Sequence, residues 1–290
     1  MTVKILTDSG CDLPKGIIEE YDIDLIPIIV IKGEEEYLDG ATITPKELYD
    51  NMRKGEVYKT AQIPPNVFEE KFEELAQKEE SVIYIAFSSA LSGTYQTSVI
   101  VRDSLKDKYP NLDIDIVDSK SASVGFGLLV YKAAQMAKEG KSKEEILNML
   151  DFYINHNEHI FTVDDIEYLF RGGRVTRTQA FVGGLLNIKP ILEVTRDGRL
   201  QPLEKVRGRS KVLKRMLEIM DARGKDADLK NQTIGISHGD DIEVAMKLKE
   251  MIEEKYGVTD FVINTIGCAI GAHSGPGTLA LFFLNKKYDE

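Results

Sequence analysis

Short apolar runs alternate with helix-like segments through the first half of the chain. The run at 82–87 (VIYIAF) is apolar at every position, as in a parallel strand that is covered on both faces. Runs at 3–8, 25–31 and 114–119 are also rich in β-branched residues, and segments with helical spacing follow them. This alternation predicts an α/β sheet whose strands are joined by right-handed helical crossovers.

Helix-start signals divide this half further. Thr44 with Glu47 and Ser142 with Glu145 have the capping-box form, and Asp12 stands just before a proline in a predicted first turn. The helices predicted from spacing and caps cover 13–21, a segment that starts after Thr44, 93–105, 125–138 and 143–154.

The pattern changes after about residue 156. The segment 190–206 is predicted to be a β-hairpin around Asp197-Gly198. Further strands are expected at 233–237, 261–266 and 278–284, with helices at 211–222 and 241–256. We therefore predict an N-terminal, mostly parallel α/β/α sheet domain (1–157) and a C-terminal α+β domain with a mixed or antiparallel sheet (158–290).

Composition excludes several classes of function. The 290 residues carry a net charge of −11, which disfavours binding to nucleic acid and to anionic membrane surfaces. No apolar run approaches the ~18 residues of a membrane span, so stable membrane insertion is not expected. Cys11 and Cys268 are the only cysteines, and the N-terminus lacks an apolar signal region. These features favour a cytoplasmic protein.

Charge is unevenly distributed along the chain. Between residues 171 and 215 there are twelve Lys and Arg against three Asp and Glu. Such a segment is either a solvated surface with internal salt bridges or a docking face for an anionic ligand or partner.

Ser92, in the stretch SSALSGTYQT (88–97), follows an apolar strand and stands where a helix is predicted to begin. Three roles remain open for it: a cap of its own helix, a group that helps a helix N-terminus to bind an anion, and a nucleophile. The surrounding Ala-Leu-Ser-Gly-Thr lacks the Gly-x-Ser-x-Gly form of a nucleophile elbow.

His273 lies in the glycine-rich stretch GCAIGAHSGPGT (267–278), which we predict to be a loop between two strands. The residue is either structural or a group that binds a carboxylate or transfers a proton. His156 and His159 have i, i+3 spacing on a predicted helix, but no further ligands accompany them, so no metal site is expected. The RGGR at 171–174 lacks the ending of a P-loop, which argues against nucleotide binding.

Eight stretches occur in a fixed order along nearly the whole chain: TDSGCDLP, YLDG, SSALSGTYQ, DSKSASVGFG, LFRGGRV, LLNIKPIL, HGD and IGAHSGPGT. Each stretch alone is weak evidence for any family, but the ordered set closely resembles the DegV family of bacterial fatty-acid-binding proteins. The resemblance implies a two-domain α/β fold with a long-chain fatty acid buried between the domains, and no further cofactor.

The same resemblance implies site residues and a partner. The hydroxyls of Thr60 and Ser92 would hold the carboxyl group, with His273 near it. Some family members present this carboxyl to a separate fatty-acid kinase subunit, which forms an acyl phosphate for phospholipid synthesis. The sequence departs from the usual pattern at Ala61, where serine is common, and at Gly10-Cys11, so the hydrogen bonds around the carboxyl contacts are expected to differ from those of other family members.

Three hypotheses follow, of which we favour a non-catalytic fatty-acid carrier. The alternatives are a serine hydrolase or acyltransferase that uses Ser92 with His273, and a protein that binds a phosphate ligand through the basic segment. The sequence does not give the acyl chain length, for which Ile28, Val30, Phe181 and Phe282 are candidate determinants. For docking of the kinase subunit, we select six arginines of the basic segment: Arg171, Arg174, Arg196, Arg199, Arg207 and Arg209.

Overall fold

The computed structural model describes residues 3–176 and 188–288 of the chain. The strands are β1 (Lys4–Asp8), β2 (Asp24–Ile26), β3 (Ile29–Lys32), β4 (Glu35–Leu38), β5 (Lys59–Ala61), β6 (Ser81–Ala86), β7 (Asp113–Asp118), β8 (Asn157–Thr162), β9 (Ile188–Val194), β10 (Leu200–Arg207), β11 (Ile234–His238), β12 (Phe261–Thr265) and β13 (Leu279–Leu284). The α-helices are α1 (Lys15–Glu20), α2 (Pro45–Arg53), α3 (Pro65–Gln77), α4 (Thr94–Leu105), α5 (Ser123–Lys138), α6 (Lys143–His156), α7 (Glu167–Arg171), α8 (Arg209–Arg223), α9 (Ile242–Tyr256) and α10 (Cys268–Ser274).

Four strands of the first half form a fully parallel sheet in the order β2-β1-β6-β7, which we call the N-terminal sheet. On β6, Val82 and Tyr84 face the core that α3 and α4 contribute to, while Ile83 and Ile85 face α5 and α6. Burial on both faces explains why this run is apolar at every position. The predicted α/β/α arrangement is confirmed.

The predicted strand at 25–31 is wrong in one respect, because the structure divides it into β2 and β3. Pro27 lies between them and has no N–H to donate to a ladder. Strand β3 leaves the N-terminal sheet and pairs antiparallel with β4 and β5 in a small separate sheet. This division places β5, and with it Thr60, beside the second half of the molecule.

Helix starts follow the predicted caps with one exception. Ser142 and Glu145 form the complete capping box, and Thr44 Oγ1 accepts a hydrogen bond from the Glu47 N–H. Asp12 does not cap α1, which begins at Lys15 after Pro14. Its backbone is left-handed and its side chain points to residues of the second half.

The second half contains a six-stranded mixed sheet in the order β10-β9-β8-β13-β11-β12, which we call the C-terminal sheet. All its pairs are antiparallel except β11 with β12. The hairpin β9–β10 turns at Asp197-Gly198 as predicted, with Gly198 at a φ of 83°. Strand β8 starts at Asn157, directly after α6, so His156 and His159 do not share a helix as the sequence suggested.

The two faces of the C-terminal sheet are covered differently. Helices α8 and α9 pack on one face, where Met216, Leu248 and Phe283 are among the buried side chains. The other face packs against α5 of the first half, and Phe161 and Phe282 belong to that shared core. Helix α10 also crosses over, since Cys268 and Ala272 pack against α2 and β3.

Candidate functional site

A cavity of about 440 Å³ lies between the two halves of the molecule. Residues of both halves line it, and most of the lining side chains are apolar or small. Ile28 and Phe87 come from the first half, and Phe161, Ala280 and Phe282 from the second. Among the described lining residues Arg174 is the single Lys or Arg, and none is Asp or Glu. A cavity of this size and lining suits a small, largely apolar ligand with an anionic group.

Thr60 and His273 meet at one end of the cavity, although 213 residues separate them. Thr60 Oγ1 and His273 Nε2 are 2.7 Å apart, and both side chains line the cavity. Thr60 is held on β5 opposite Val30 of β3, while His273 belongs to α10 and not to the loop predicted from the sequence. Both residues are half-buried, so this end of the cavity is not fully closed.

Ser92 lines the cavity and also contacts the start of its own helix. Its Oγ accepts a 3.3 Å hydrogen bond from the Thr94 N–H and is 3.0 Å from Thr94 Oγ1. The N-cap position itself is Gly93, so Ser92 contacts the first N–H of the helix from one residue further out, and a lone pair of its hydroxyl remains for a ligand. Among the described residues no hydrogen bond joins Ser92 to His273 or to another histidine.

Local packing brings the segment that follows Thr60 against the segment that follows Ser92. The chain continues from β5 to Gln62, whose Nε2 donates to Thr97 Oγ1 of α4 over 3.0 Å. A side chain on Gly93 would overlap Gln62, because its Cβ would lie 2.0 Å from Gln62 Oε1. The glycine after Ser92 thus lets the end of β5 pack directly on the start of α4.

Burial and charge keep the imidazole of His273 neutral. Desolvation, with a smaller contribution from the positive charge of Arg174, lowers the pKa of His273 to about 3. The guanidinium of Arg174 is fixed by hydrogen bonds from Nε and Nη2 to the carbonyl oxygen of Leu91, at 3.2 and 2.9 Å. Gly172 packs against the ring, since a Cβ there would lie 2.2 Å from His273 Nδ1.

Two buried carboxyl groups hold the helix that carries His273. Asp12 Oδ1 accepts from the Gly267 N–H at 2.9 Å, and Asp39 Oδ1 accepts from the Cys268 N–H at 2.8 Å. Carboxyl groups at the first N–H groups of a helix satisfy donors that have no partner within the helix. Burial raises the pKa of both carboxyl groups. The sequence showed the stretches TDSGCD and YLDG but not this role.

Ser274 was not predicted as a site residue. Its hydroxyl is buried, lines the cavity and has no hydrogen-bond partner among the described residues. A buried hydroxyl without a partner costs roughly 1–3 kcal/mol, so a ligand oxygen or a water molecule would stabilise it. Helical spacing places Ile270 and Ser274 on the same side of α10, and both line the cavity.

Of the candidate chain-length residues, Ile28 and Phe282 line the cavity. Val30 instead packs in the separate core of α2 and α10. Phe181 lies outside the described residues.

The basic segment is largely neutralised by acidic residues of its own chain. Arg196 pairs with Glu158, and Arg199 Nε donates to Asp197 at 3.0 Å. Arg209 contacts Asp164 and Asp241, and Arg174 belongs to the cavity and not to the outer surface.

Arg171 and Arg207 form no ion pair with the part of the chain that the structure describes, and both are exposed. The Arg171 guanidinium lies over the ring of Tyr168, 4.8 Å from its centre. These two arginines therefore remain as outward-facing charges for the docking hypothesis.

No cluster of three or more potential metal ligands occurs within residues 3–176 and 188–288. His156 Nδ1 is 2.9 Å from Asn285 Oδ1, and His159 Nε2 contacts the Ser121 hydroxyl. None of the described helices combines the length and the apolar character that crossing a bilayer requires.

Comparison with known proteins gives the class to which this sequence and fold correspond. The sequence profile of the DegV family, described as uncharacterised, matches residues 2–286. A DegV domain-containing protein of Clostridium perfringens is 46% identical, over 97% of this chain and 96% of the relative. The chain belongs to the DegV family.

Solved structures agree with this assignment. DegV of Bacillus subtilis, a fatty-acid-binding protein, superposes with a TM-score of 0.84 at 31% identity, over 97% of this chain and 98% of that one. The fatty acid kinase B3 protein of Streptococcus pneumoniae, loaded with linoleic acid, superposes with a TM-score of 0.85 over 99% of this chain and 100% of that one. At 22% identity the second likeness shows the fold alone.

Proposed function

We propose that this protein binds a long-chain fatty acid in the cavity between its two halves, with the carboxyl group held by Thr60, Ser92 and His273. The observation that carries the proposal is the 2.7 Å contact between Thr60 and His273 in an apolar cavity that Ser92 also lines. The fatty-acid binding of the Bacillus subtilis relative, which shares the fold over nearly its full length, supports the same ligand class.

The acyl tail and the carboxyl group of the ligand contribute differently to the free energy of binding. A saturated sixteen-carbon acid offers about 14 methylenes, and burial of each contributes ~0.8 kcal/mol, so the tail supplies at most about 11 kcal/mol. Each hydrogen bond to the carboxylate adds roughly 1–3 kcal/mol. The tail therefore provides most of the affinity, and the polar end fixes the orientation of the ligand.

Electrostatics favour an anionic group at the polar end. Arg174 is the positive charge of the described cavity lining, and no lining carboxylate opposes it. The imidazole of His273 is neutral before binding, and a carboxylate beside it would raise its pKa, because an opposite charge favours the imidazolium form. Ser274 adds a hydroxyl without a partner near this end.

We propose further that the protein is a carrier that offers the carboxyl group to a separate kinase subunit for acyl-phosphate formation. The half-burial of Thr60, Ser92 and His273 contrasts with the full burial of Ala280 and Phe282, so the polar end is the accessible one. The family resemblance supplies the kinase, and Arg171 and Arg207 are its proposed contacts. A hydrolase gains no support, because Ser92 has no histidine within hydrogen-bond distance among the described residues.

The ligand is tested by native mass spectrometry of the purified protein, followed by calorimetric titration of the delipidated protein with hexadecanoate and with its methyl ester. We expect an intact, non-covalent fatty acid in the first experiment and a clear preference for the free acid in the second. A covalent acyl group on Ser92, or turnover of an ester substrate, would instead establish the hydrolase.

The kinase step is tested by reconstitution with an ATP-binding fatty-acid kinase subunit. The double variant Arg171→Glu/Arg207→Glu should lower the rate of acyl-phosphate formation and leave hexadecanoate affinity unchanged. Lys106→Glu, an exposed charge reversal at the end of α4, is the control. Equal rates for the two variants would exclude these arginines as the docking contacts.

A further inference from the structure

The face of the C-terminal sheet that lines the cavity is organised in rows across the strands. Strand pairing sets Ala280 opposite Phe161 on one side and Ser237 on the other, and all three line the cavity. Directly paired residues point to the same face of a sheet. These three residues form a middle row, in which the side chain of Ala280 is the smallest.

A second row lies two residues further along β13. Phe282 is opposite His159 of β8 and opposite Gly235 of β11. Strand β8 pairs with β9 at Ile160 and Glu193, so His159 comes level with Val194, which is in turn opposite Leu200. The members that line the cavity are Leu200, Val194, His159 and Phe282, which we call the far row.

The far row is distant from His273 along β13. Thr278 Oγ1 donates to the carbonyl oxygen of Ser274 at 2.9 Å, which places the start of β13 next to His273. Phe282 is four residues further along the strand, and at ~3.3 Å per residue this is about 13 Å. A chain that starts at His273 and runs along β13 therefore reaches the far row.

Helix α5 closes the space behind the far row. A Cβ on Gly125 would lie 2.4 Å from Phe282 Cδ1 and 2.7 Å from the ring of His159. A Cβ on Gly235 would lie 2.9 Å from Val124 and 3.1 Å from the ring of Phe282. Glycine at both positions lets helix, strand and rings pack without a gap, so the cavity ends there.

The two rings of the far row are rigidly placed. Their centres are 5.3 Å apart at an interplanar angle of 85°, an edge-to-face arrangement, and the residues are 4% and 3% exposed. The Ser121 hydroxyl holds His159 Nε2 from the side of the N-terminal sheet. Burial lowers the pKa of His159 to about 4, so its ring is uncharged at neutral pH. An uncharged, immobile wall suits the methyl end of an acyl chain.

We infer that the His159–Phe282 ring pair, backed by Gly125 of α5, is the end wall that sets the length of the acyl chain this protein accepts. The inference rests on the proposed fatty-acid function. It assigns specificity to residues far from the carboxyl contacts.

The test measures the affinities of the delipidated protein and its variants for saturated acids of 12 to 20 carbons by calorimetric titration. Phe282→Ala should extend the longest well-bound chain by two or more carbons. Two additional buried methylenes correspond to about a tenfold gain in affinity for the longer acid relative to the shorter one. Gly125→Ala should shorten the longest well-bound chain. The added methyl group would push the rings of Phe282 and His159 toward the cavity, because α5 blocks movement in the other direction.

Phe283→Ala is the matched control. It removes the same residue type from the next position of the same strand, where the side chain faces α8 and α9. It should lower the melting temperature by as much as Phe282→Ala and leave the chain-length profile unchanged. Phe282→Leu, a milder change, replaces Phe282→Ala if the latter does not fold, and should shift the profile in the same direction.

The outcomes separate this inference from the function on which it rests. If the wild-type protein binds no fatty acid of any length, the proposed function fails, and the end wall with it. If it binds fatty acids but Phe282→Leu, Gly125→Ala and Phe283→Ala all keep the wild-type profile, only the end wall is refuted.

Discussion

The two ends of the cavity are built on different principles. At the polar end, Thr60, Ser92 and His273 come from three separate elements, and hydrogen bonds with a nearby charge fix them. At the closed end, neighbouring strands of one sheet place His159 and Phe282 in register, and packing against α5 fixes them. The first end is partly exposed, and we propose that it recognises the charge of the ligand. The second is fully buried, and we propose that it limits the length of the ligand.

This difference predicts which measurements respond to which residue. Substitutions at the polar end should change the affinity for the free acid and leave the affinity for its methyl ester unchanged. Substitutions at the closed end should change the chain-length preference, and they should do so equally for acids and for esters.

The largest effect is expected for Arg174→Gln. The variant removes the positive charge of the described cavity lining, and a carboxylate in a desolvated site without its opposite charge is strongly destabilised. Hexadecanoate affinity should fall about 100-fold, the loss typical of breaking such a pair. Calorimetric titration with methyl hexadecanoate is the control, and an equal loss for the ester would indicate a damaged cavity and not a lost charge.

Thr60→Val should have the next largest effect. It keeps the shape of the side chain and removes the hydroxyl that contacts His273. A hydrogen bond to a charged group contributes about 1.5–3 kcal/mol, so affinity for the acid should fall roughly 10- to 100-fold. Thr233→Val, directly before β11 and not among the residues that line the cavity, should bind like wild type. Unchanged affinity in Thr60→Val would remove Thr60 from the carboxyl contacts.

Ser92→Ala should have a smaller effect on affinity and should also lower the stability of the protein. The hydroxyl contacts the first N–H of α4, so its loss should lower the free energy of unfolding by about 1 kcal/mol. Loss of one contact to the carboxylate should also weaken hexadecanoate binding several-fold. Ser142→Ala is the matched control, because it removes a cap at α6 far from the cavity. If the two variants lose stability alike and neither loses affinity, Ser92 is a cap alone.

The smallest expected effect in free energy is a change in the pKa of a histidine on ligand binding. It is also the effect that most directly reports the orientation of the ligand. Ligand binding should raise the pKa of His273 from about 3 by one unit or more, because the carboxylate favours the charged ring. The pKa of His159 should stay near 4 at the uncharged end. Histidine NMR titration with and without hexadecanoate measures both values, with His273→Gln to assign the signals. Equal shifts at both rings would contradict the assigned orientation of the ligand.

The same two groups affect the pH dependence of stability. Both have a folded pKa below the ordinary value of 6.5, so the unfolded chain binds protons first as the pH falls. Their contribution to the free energy of unfolding is complete above pH 6.5 and is lost progressively as the pH falls toward 4 and 3. Burial raises the pKa of Asp8 to about 6, and this carboxyl acts in the opposite direction over the same range. Titration of individual residues is therefore more informative than a melting curve.

Much of the fold could be predicted from local patterns. The apolar run of β6 predicted a doubly covered strand, and the box Ser142–Glu145 marked the start of α6 to the residue. The failures have physical causes. The predicted strand at 25–31 is interrupted because Pro27 has no N–H to donate to a neighbouring strand. The glycines around His273 suggested a loop, although Cys268–Ser274 forms a short helix. That helix is stabilised by Asp12 and Asp39, which are 255 and 229 positions away from their partners.

The sequence by itself determined most of the secondary structure, the two-part architecture and, through the ordered motifs, the family. Each of these depends on periodicity, on caps or on residue identity in a fixed order, which a linear chain displays directly. Only the tertiary structure decided which polar residues meet, that Arg174 lines the cavity, and that His159 and Phe282 pack edge to face. Those relations depend on strand register and on contacts between distant segments, and a glycine such as Gly125 shows its purpose only once its neighbours in space are known.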